Sequence, residues 1–100
     1  MENDINIPIT NHFVDRYRER VAKTSAERIS KFANDAYRDG KNGEDIKNSQ
    51  LRRLIDYKNG ADDGILKIYK GFIYVFSAVD NAAITIYRIP NQINGIAIHI

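Results

Sequence analysis

The composition of this 100-residue chain changes sharply at Ile65. Before that residue, apolar side chains recur at the three- and four-residue spacing of amphipathic helices. After it, the chain is rich in β-branched and aromatic residues in short runs separated by turn residues, which is typical of antiparallel strands. Helices followed by strands indicate an α+β fold. We expect one domain, residues 1–100, with two to three N-terminal helices packed on one face of a three- to four-stranded antiparallel sheet.

The first and third predicted helices are placed by caps and apolar spacing. The first extends from about Asn11 to Val21, with Thr10 or Asn11 as its N-cap. A polar loop is expected over residues 41–48, and a short third helix over about 49–57. The sequence thus predicts a first and a third helix, with a longer second helix between them.

The second helix has the clearest end signals. Thr24 and Glu27 have the spacing of a capping box, and Ser25 is an alternative cap. Gly40 is the expected C-terminal stop. Apolar residues between these signals follow the helical repeat, so one side of this helix is predicted to be buried.

Three strands are predicted in the last third of the chain, over residues 65–70, 72–78 and 82–89. Alternating isoleucines over 96–100 predict a fourth strand that closes the chain. Residues 5–9 have the composition of a further short strand. An exposed edge at 96–100 would favour a homodimer.

Composition excludes several classes of protein. No apolar run is long enough to span a membrane, and the acidic, polar start is unlike a secretory signal. The chain has no cysteine and two histidines, so no disulfide scaffold, metal site or cofactor is expected. The absence of cysteine fits a cytoplasmic location. The net charge of +2 permits a nucleic-acid partner without requiring one, although 11 of the 15 basic residues lie between Arg16 and Arg53.

A basic ridge on the first helix is the most pointed functional feature. His12, Arg16 and Arg20 are spaced four apart and span about 80° of the helical circumference, beside the apolar side. Arginines offer paired donors that suit phosphate, and a histidine beside them can transfer protons. The alternative is an ordinary solvated helix surface, on which Glu19 pairs with Arg16.

The sheet adds a second candidate surface. If the side chains of Ile84 and Ile86 pack on the helices, alternate residues of the strands point to an open face. Polar and aromatic groups on such a face form a shallow platform on which bases can stack. The alternative is a solvated face of strand-forming residues. The predicted platform consists of Lys67, Tyr69, Thr85 and Tyr87.

Two further features are weaker. Arg52 and Arg53 form a small basic patch on the third predicted helix, where they are either part of its solvated surface or a contact for RNA. His99, on the predicted terminal strand, is interpreted as structural or exposed rather than catalytic.

Four stretches, 9–21, 33–40, 68–76 and 84–90, resemble small prokaryotic and phage domains related to RelE-type toxins, within the barnase–EndoU–colicin–RelE group of ribonuclease folds. The resemblance implies helices on a small antiparallel sheet and metal-independent cleavage of RNA on the exposed sheet face. Two features depart from it: the third helix with its long flanking loops, and the lack of a basic surplus.

The resemblance leads to a predicted function, a metal-independent endoribonuclease acting on single-stranded or structured RNA. His12 would serve as base or acid, and Arg16 and Arg20 would hold the phosphate. The RNA would be positioned by Thr85, Tyr87, Lys67, Tyr69, Arg52 and Arg53.

Two alternatives involve no catalysis. One is a phage-type relative that binds and inhibits a host or defence protein, and the other is a nucleic-acid-binding regulator. An antitoxin is a further protein partner that the resemblance implies.

Overall fold

The computed structural model describes residues 7–46, 49–59 and 64–90. Within these ranges helices precede most of the sheet, so the predicted α+β class is confirmed. The helices are α1 (Asn11–Arg20), α2 (Ala26–Asp39) and α3 (Ser49–Asn59), with a short 3₁₀ helix at Gly43–Asp45. The strands are β1 (Lys41–Asn42), β2 (Ile65–Tyr69), β3 (Phe72–Phe76) and β4 (Ala83–Arg88).

The four strands form one antiparallel sheet in the order β1-β2-β3-β4. β1 corrects the predicted polar loop, because Lys41 and Asn42 pair with Ile68 and Lys67 of β2. Two polar residues carry no alternating pattern, so this strand had no signal in the sequence. The strand and dimer edge predicted over 96–100 lie outside the described residues.

The N-terminal segment and residue Ile84 of β4 both differ from the predictions. The predicted short strand over 5–9 is reduced, within the described residues, to a single parallel bridge from Ile9 to Ala83. In β4 an extra residue, Ile84, interrupts the regular pairing with β3. The Ile84 side chain is 37% exposed as a result and does not join the buried core.

Helices α1 and α2 pack on one face of the sheet. The Phe13 ring lies 6.2 Å from both the Tyr17 and the Tyr74 ring, so α1 is joined to β3 through aromatic contacts. We call this buried cluster the aromatic core. It consists of Ile7, Phe13, Tyr17, Ile29, Ala33, Ala36, Tyr74, Phe76, Ala83 and Ile86.

Helix α3 packs against the other face of the sheet. Its Leu51 and Ile55 side chains are buried with strand residues that point away from α1 and α2. Two helices therefore share one face as expected, while the third covers the face that was predicted to be open. We call this cluster the aliphatic core, and it consists of Ile46, Leu51, Ile55, Leu66, Ile68, Ile73 and Ile89.

The helix ends follow local chemistry. Thr10 caps α1, and its side chain accepts a hydrogen bond from the Phe13 amide. Ser25, the alternative cap, is the N-cap of α2, so the predicted capping box beginning at Thr24 is wrong. Gly40 ends α2 as expected, and a Cβ there would lie 2.4 Å from the Ala36 carbonyl oxygen, so no other residue fits without a shift.

Candidate functional site

Helix α1 is fixed along the outer edge of β4. The Thr10 hydroxyl donates a hydrogen bond of 3.1 Å to the Ala83 carbonyl, and the Thr10 amide donates to the same oxygen at 3.2 Å. Phe13 and Tyr17 are buried on the inner side of the helix. These contacts place the His12–Arg16–Arg20 ridge at the border between the first sheet face and the edge of β4.

Arg20 reaches across this edge. Its Nη1 donates a hydrogen bond of 2.7 Å to the Ile86 carbonyl, and its Cζ lies 5.0 Å from the centroid of the Tyr87 ring. Tyr87 points to the opposite face of the sheet from Ile86, so the Arg20 side chain wraps around the edge strand. The guanidinium is therefore held between a backbone carbonyl and an aromatic ring.

Arg88 joins the same cluster from the end of β4. Its Nη2 donates a hydrogen bond of 2.8 Å to the Arg20 carbonyl, and its Cζ lies 5.5 Å from the Phe72 ring centroid. A cation at this position is favourable, because the carbonyl groups at a helix C-terminus carry partial negative charge. We use the name Arg20 groove for the open space of about 440 Å³ that is lined by Glu19, Arg20, Tyr87 and Arg88.

The Arg20 groove is lined by two guanidinium groups and one carboxylate. Arg16, one turn before Arg20, forms an ion pair of 3.0 Å with Glu19, and both side chains are partly exposed. Such an exposed pair contributes little to stability and is easily exchanged for another partner. A guanidinium has five donor hydrogens, and the described hydrogen bonds use one each from Arg20 and Arg88. Both guanidinium groups therefore retain donors for a ligand.

His12 lies at the other end of the ridge. It is exposed in the first turn of α1, one turn from Arg16 and two turns from Arg20. The rise of an α-helix separates His12 from Arg20 by about 12 Å along the axis. A phosphate at Arg16 would thus be near His12, while a ligand in the Arg20 groove would not.

The predicted platform is split between the two faces of the sheet. Lys67 pairs with Tyr74 and points to the face of the aromatic core, as does Tyr69. Thr85 and Tyr87 point to the opposite face, where Thr85 is 8% exposed. The prediction of one open face carrying all four residues is wrong, because alternation within each strand does not reveal which residues pair across strands.

Lys67 and Arg52 bind neighbouring parts of the chain. The Lys67 ammonium donates to the side-chain oxygen of Asn42 and lies 5.4 Å from the Tyr37 ring centroid. Arg52 donates to the Gly43 carbonyl and so joins α3 to the 3₁₀ helix. These contacts give both cations a structural role at the β1 side of the sheet, opposite the β4 edge.

The remaining two predicted RNA contacts also lie away from the Arg20 groove. Tyr69 is half-buried, with its ring 6.3 Å from the Tyr74 ring, and Arg53 is exposed on α3. The structure therefore brings Arg20 and Tyr87 together and leaves the other predicted contacts on separate surfaces.

Sequence reasoning missed Arg88 and the part that Glu19 plays in lining the Arg20 groove. Arg88 is the single charged residue of β4 and the last residue of that strand. That position was a usable signal, since arginine side chains are mostly exposed. The contact of Arg88 with the end of α1 is a tertiary contact, so the sequence carried no local signal for it.

Comparison with known proteins places no constraint on the site: no family model, curated protein or solved structure matches this chain. Among the described residues, no helix combines the length and apolarity needed to cross a membrane. The same residues contain no cluster of three or more histidine, cysteine or acidic side chains that would hold a metal ion.

Proposed function

We propose that this protein binds RNA along the edge formed by α1 and β4 and cleaves it without a metal ion. One observation carries the proposal: Arg20, Tyr87 and Arg88 line a common groove, with Arg16 one helical turn away. One guanidinium group can donate two parallel hydrogen bonds to the oxygens of a phosphate. Unpaired bases stack on the planes of arginine and aromatic side chains. The resemblance to RelE-type domains supports the cleavage step.

The proposed reaction is attack of a ribose 2′-oxygen on the adjacent phosphorus. His12 accepts the 2′-hydroxyl proton as the P–O2′ bond forms, and Arg16 stabilises the extra negative charge on the phosphate. The P–O5′ bond then breaks, and the leaving oxygen takes a proton from water. The products are a 2′,3′-cyclic phosphate and a 5′-hydroxyl, and His12 returns its proton to solvent.

Cleavage of a labelled mixed-sequence single-stranded RNA, with EDTA present, tests the chemistry. We expect the wild-type protein to cleave and His12→Ala to lose about 10²–10⁴-fold in rate, because a general base contributes on that scale. Arg16→Ala should also cleave more slowly than the wild type, because it removes the cation that stabilises the negative charge on the phosphate. Arg38→Ala is the matched control, since Arg38 is an exposed arginine on α2 that pairs with Asp35 and Asp39.

Equal rates for wild type and His12→Ala would contradict the assignment of His12. No cleavage by the wild-type protein, together with salt-sensitive RNA binding that Arg88→Ala weakens, would retain the RNA site and remove the catalytic role. Absence of both cleavage and binding would contradict the proposal as a whole.

A second candidate function is supported by the position of α3. RelE-type cleavage is expected on an exposed sheet face, yet Leu51 and Ile55 of α3 pack over that face and Thr85 is buried. We therefore retain the alternative that this chain is a catalytically inactive relative that binds and inhibits a host or defence protein. Inhibition of a purified defence nuclease by the protein, without any RNA cleavage, would favour this function over the first.

A further inference from the structure

The orientation of Arg20 sets it apart from the other arginines of α1. Its Nη1 is bound to the Ile86 carbonyl at 2.7 Å, and its Cζ lies over the Tyr87 ring at 5.0 Å. Arg16 and Arg18, by comparison, make described contacts near the helix surface, to Glu19 and to the Thr24 carbonyl. An arginine fixed at two points has already lost much of its rotamer freedom, so a ligand that packs against it orders little more.

The space beside Arg20 suits one nucleotide. It is an open groove of about 440 Å³, wide enough to admit one base, and Arg20 and Tyr87 both border it. A base that enters this space would pack against a planar guanidinium already in contact with an aromatic ring. A duplex keeps its base faces stacked inside the helix, so it offers no such surface.

Glu19 argues against a phosphate beside Arg20. Its carboxylate lines the same groove, and its side chain is 59% exposed. A second anion there would be repelled, whereas the uncharged face of a base would not. Arg88 is exposed whereas Arg20 is half-buried, and it uses one donor on the Arg20 carbonyl, so it is the more accessible phosphate contact.

We propose that Arg20, backed by Tyr87, is a stacking surface for one unpaired nucleobase, and that Arg88 contacts the phosphate of that nucleotide. This assignment rests on the RNA binding proposed above. It replaces the phosphate-binding role that the sequence predicted for Arg20, and it selects single-stranded RNA over duplex RNA.

Fluorescence anisotropy with three labelled probes tests the assignment: a short single-stranded RNA, its duplex, and an abasic strand of equal length and charge. We expect the wild-type protein to bind the base-containing strand on the order of tenfold more tightly than the abasic strand, because the stacking of one base contributes affinity on that scale. Arg20→Lys keeps the charge but removes the plane. It should abolish most of that preference while leaving the affinity for the abasic strand unchanged.

Arg88→Ala should weaken both single strands alike, because it removes a phosphate contact. Arg38→Lys is the control for an arginine-to-lysine change away from the groove, and thermal unfolding confirms that each variant is folded. Equal wild-type affinity for the base-containing and abasic strands would overturn the stacking role while retaining the RNA site. Equal weakening of both strands by Arg20→Lys would also overturn it. No binding to any probe would remove both proposals.

Discussion

The two faces of the sheet are buried in different ways. The core between the sheet and helices α1 and α2 is rich in aromatic side chains, and the Phe13 ring contacts both the Tyr17 ring and the Tyr74 ring. The face under α3 is aliphatic, with Leu51 and Ile55 packed on strand isoleucines. The aromatic core holds the helix that carries the Arg20 groove, whereas the aliphatic core holds α3, which does not line it.

This difference separates a core that positions the helix of the candidate site from one that reaches the site only through Tyr87, which packs against the aliphatic core. Aromatic rings fill the space between α1 and the sheet, so the position of Arg20 depends directly on them. The aliphatic core instead prevents the second sheet face from serving as an open binding platform. Changes in the two cores should therefore destabilise the protein alike and affect RNA binding differently.

The largest effect is expected from Phe13→Ala in the aromatic core. Phe13 is fully buried, and truncating such a ring costs about 3–5 kcal/mol in the free energy of unfolding. Because Phe13 joins α1 to β3, RNA affinity should also fall in the molecules that remain folded. Urea unfolding and anisotropy measure the two effects, and unchanged RNA affinity would contradict the link between this core and the groove.

Leu51→Ala in the aliphatic core gives the matched comparison. Leu51 is also fully buried, so its truncation should cost about 2–5 kcal/mol by urea unfolding. The dissociation constant for RNA, measured where the variant is folded, should change much less than in Phe13→Ala, because the aliphatic core reaches the Arg20 groove only through Tyr87. A marked loss of affinity would show that α3 contributes to the RNA site and would break the distinction between the two cores.

A smaller effect is expected from high pH, acting through the aromatic core. Burial raises the pKa of Tyr74 well above its usual value, and the pKa of Tyr17 is raised for the same reason. Above about pH 10 these tyrosines ionise in the unfolded chain but not in the folded one, so stability falls as the pH rises.

Tyr74→Phe removes one of these groups and leaves the ring. The slope of unfolding free energy against pH between pH 10 and 12 should become less steep, by at most about 1.4 kcal/mol per pH unit. The corresponding change on the other face, Tyr87→Phe, is the control, since Tyr87 is half-buried and lies outside the aromatic core. An identical slope for Tyr74→Phe and wild type would contradict the burial of the Tyr74 hydroxyl.

The smallest effect is expected from Glu19→Gln at the groove itself. Removing the carboxylate frees Arg16 from its 3.0 Å ion pair and lowers the repulsion of phosphate. RNA affinity should rise about twofold to fivefold, on the scale of an exposed ion pair. Glu27→Gln makes the same change in net charge on α2, away from the groove. An equal gain with Glu27→Gln would mean that net charge alone is responsible.

Local patterns predicted much of the fold. The cap at Thr10, the end of α2 at Gly40 and the positions of β2, β3 and β4 all follow from nearby residues, and these predictions agree with the structure to within a few residues. The ridge of α1 was likewise predictable, because helical spacing alone places its three basic residues on one side.

Pairing between distant segments was not predictable in the same way. The strand register put Lys67 and Thr85 on opposite faces, and no local pattern fixes that register. The continuous apolar run over Phe72–Phe76 was nevertheless a signal that both sheet faces are buried. The Arg20 groove depends on a helix end meeting a strand end, a contact between residues more than 60 positions apart.

The central claim is that RNA binds at the α1–β4 edge and away from α3. Amide chemical shifts of the ¹⁵N-labelled protein, followed during titration with a short single-stranded RNA, test it most directly. We predict that the changes concentrate at the end of α1, around Glu19 and Arg20, and in β4 around Tyr87 and Arg88. Changes confined to α3 around Arg53, or none at saturating RNA, would contradict the claim.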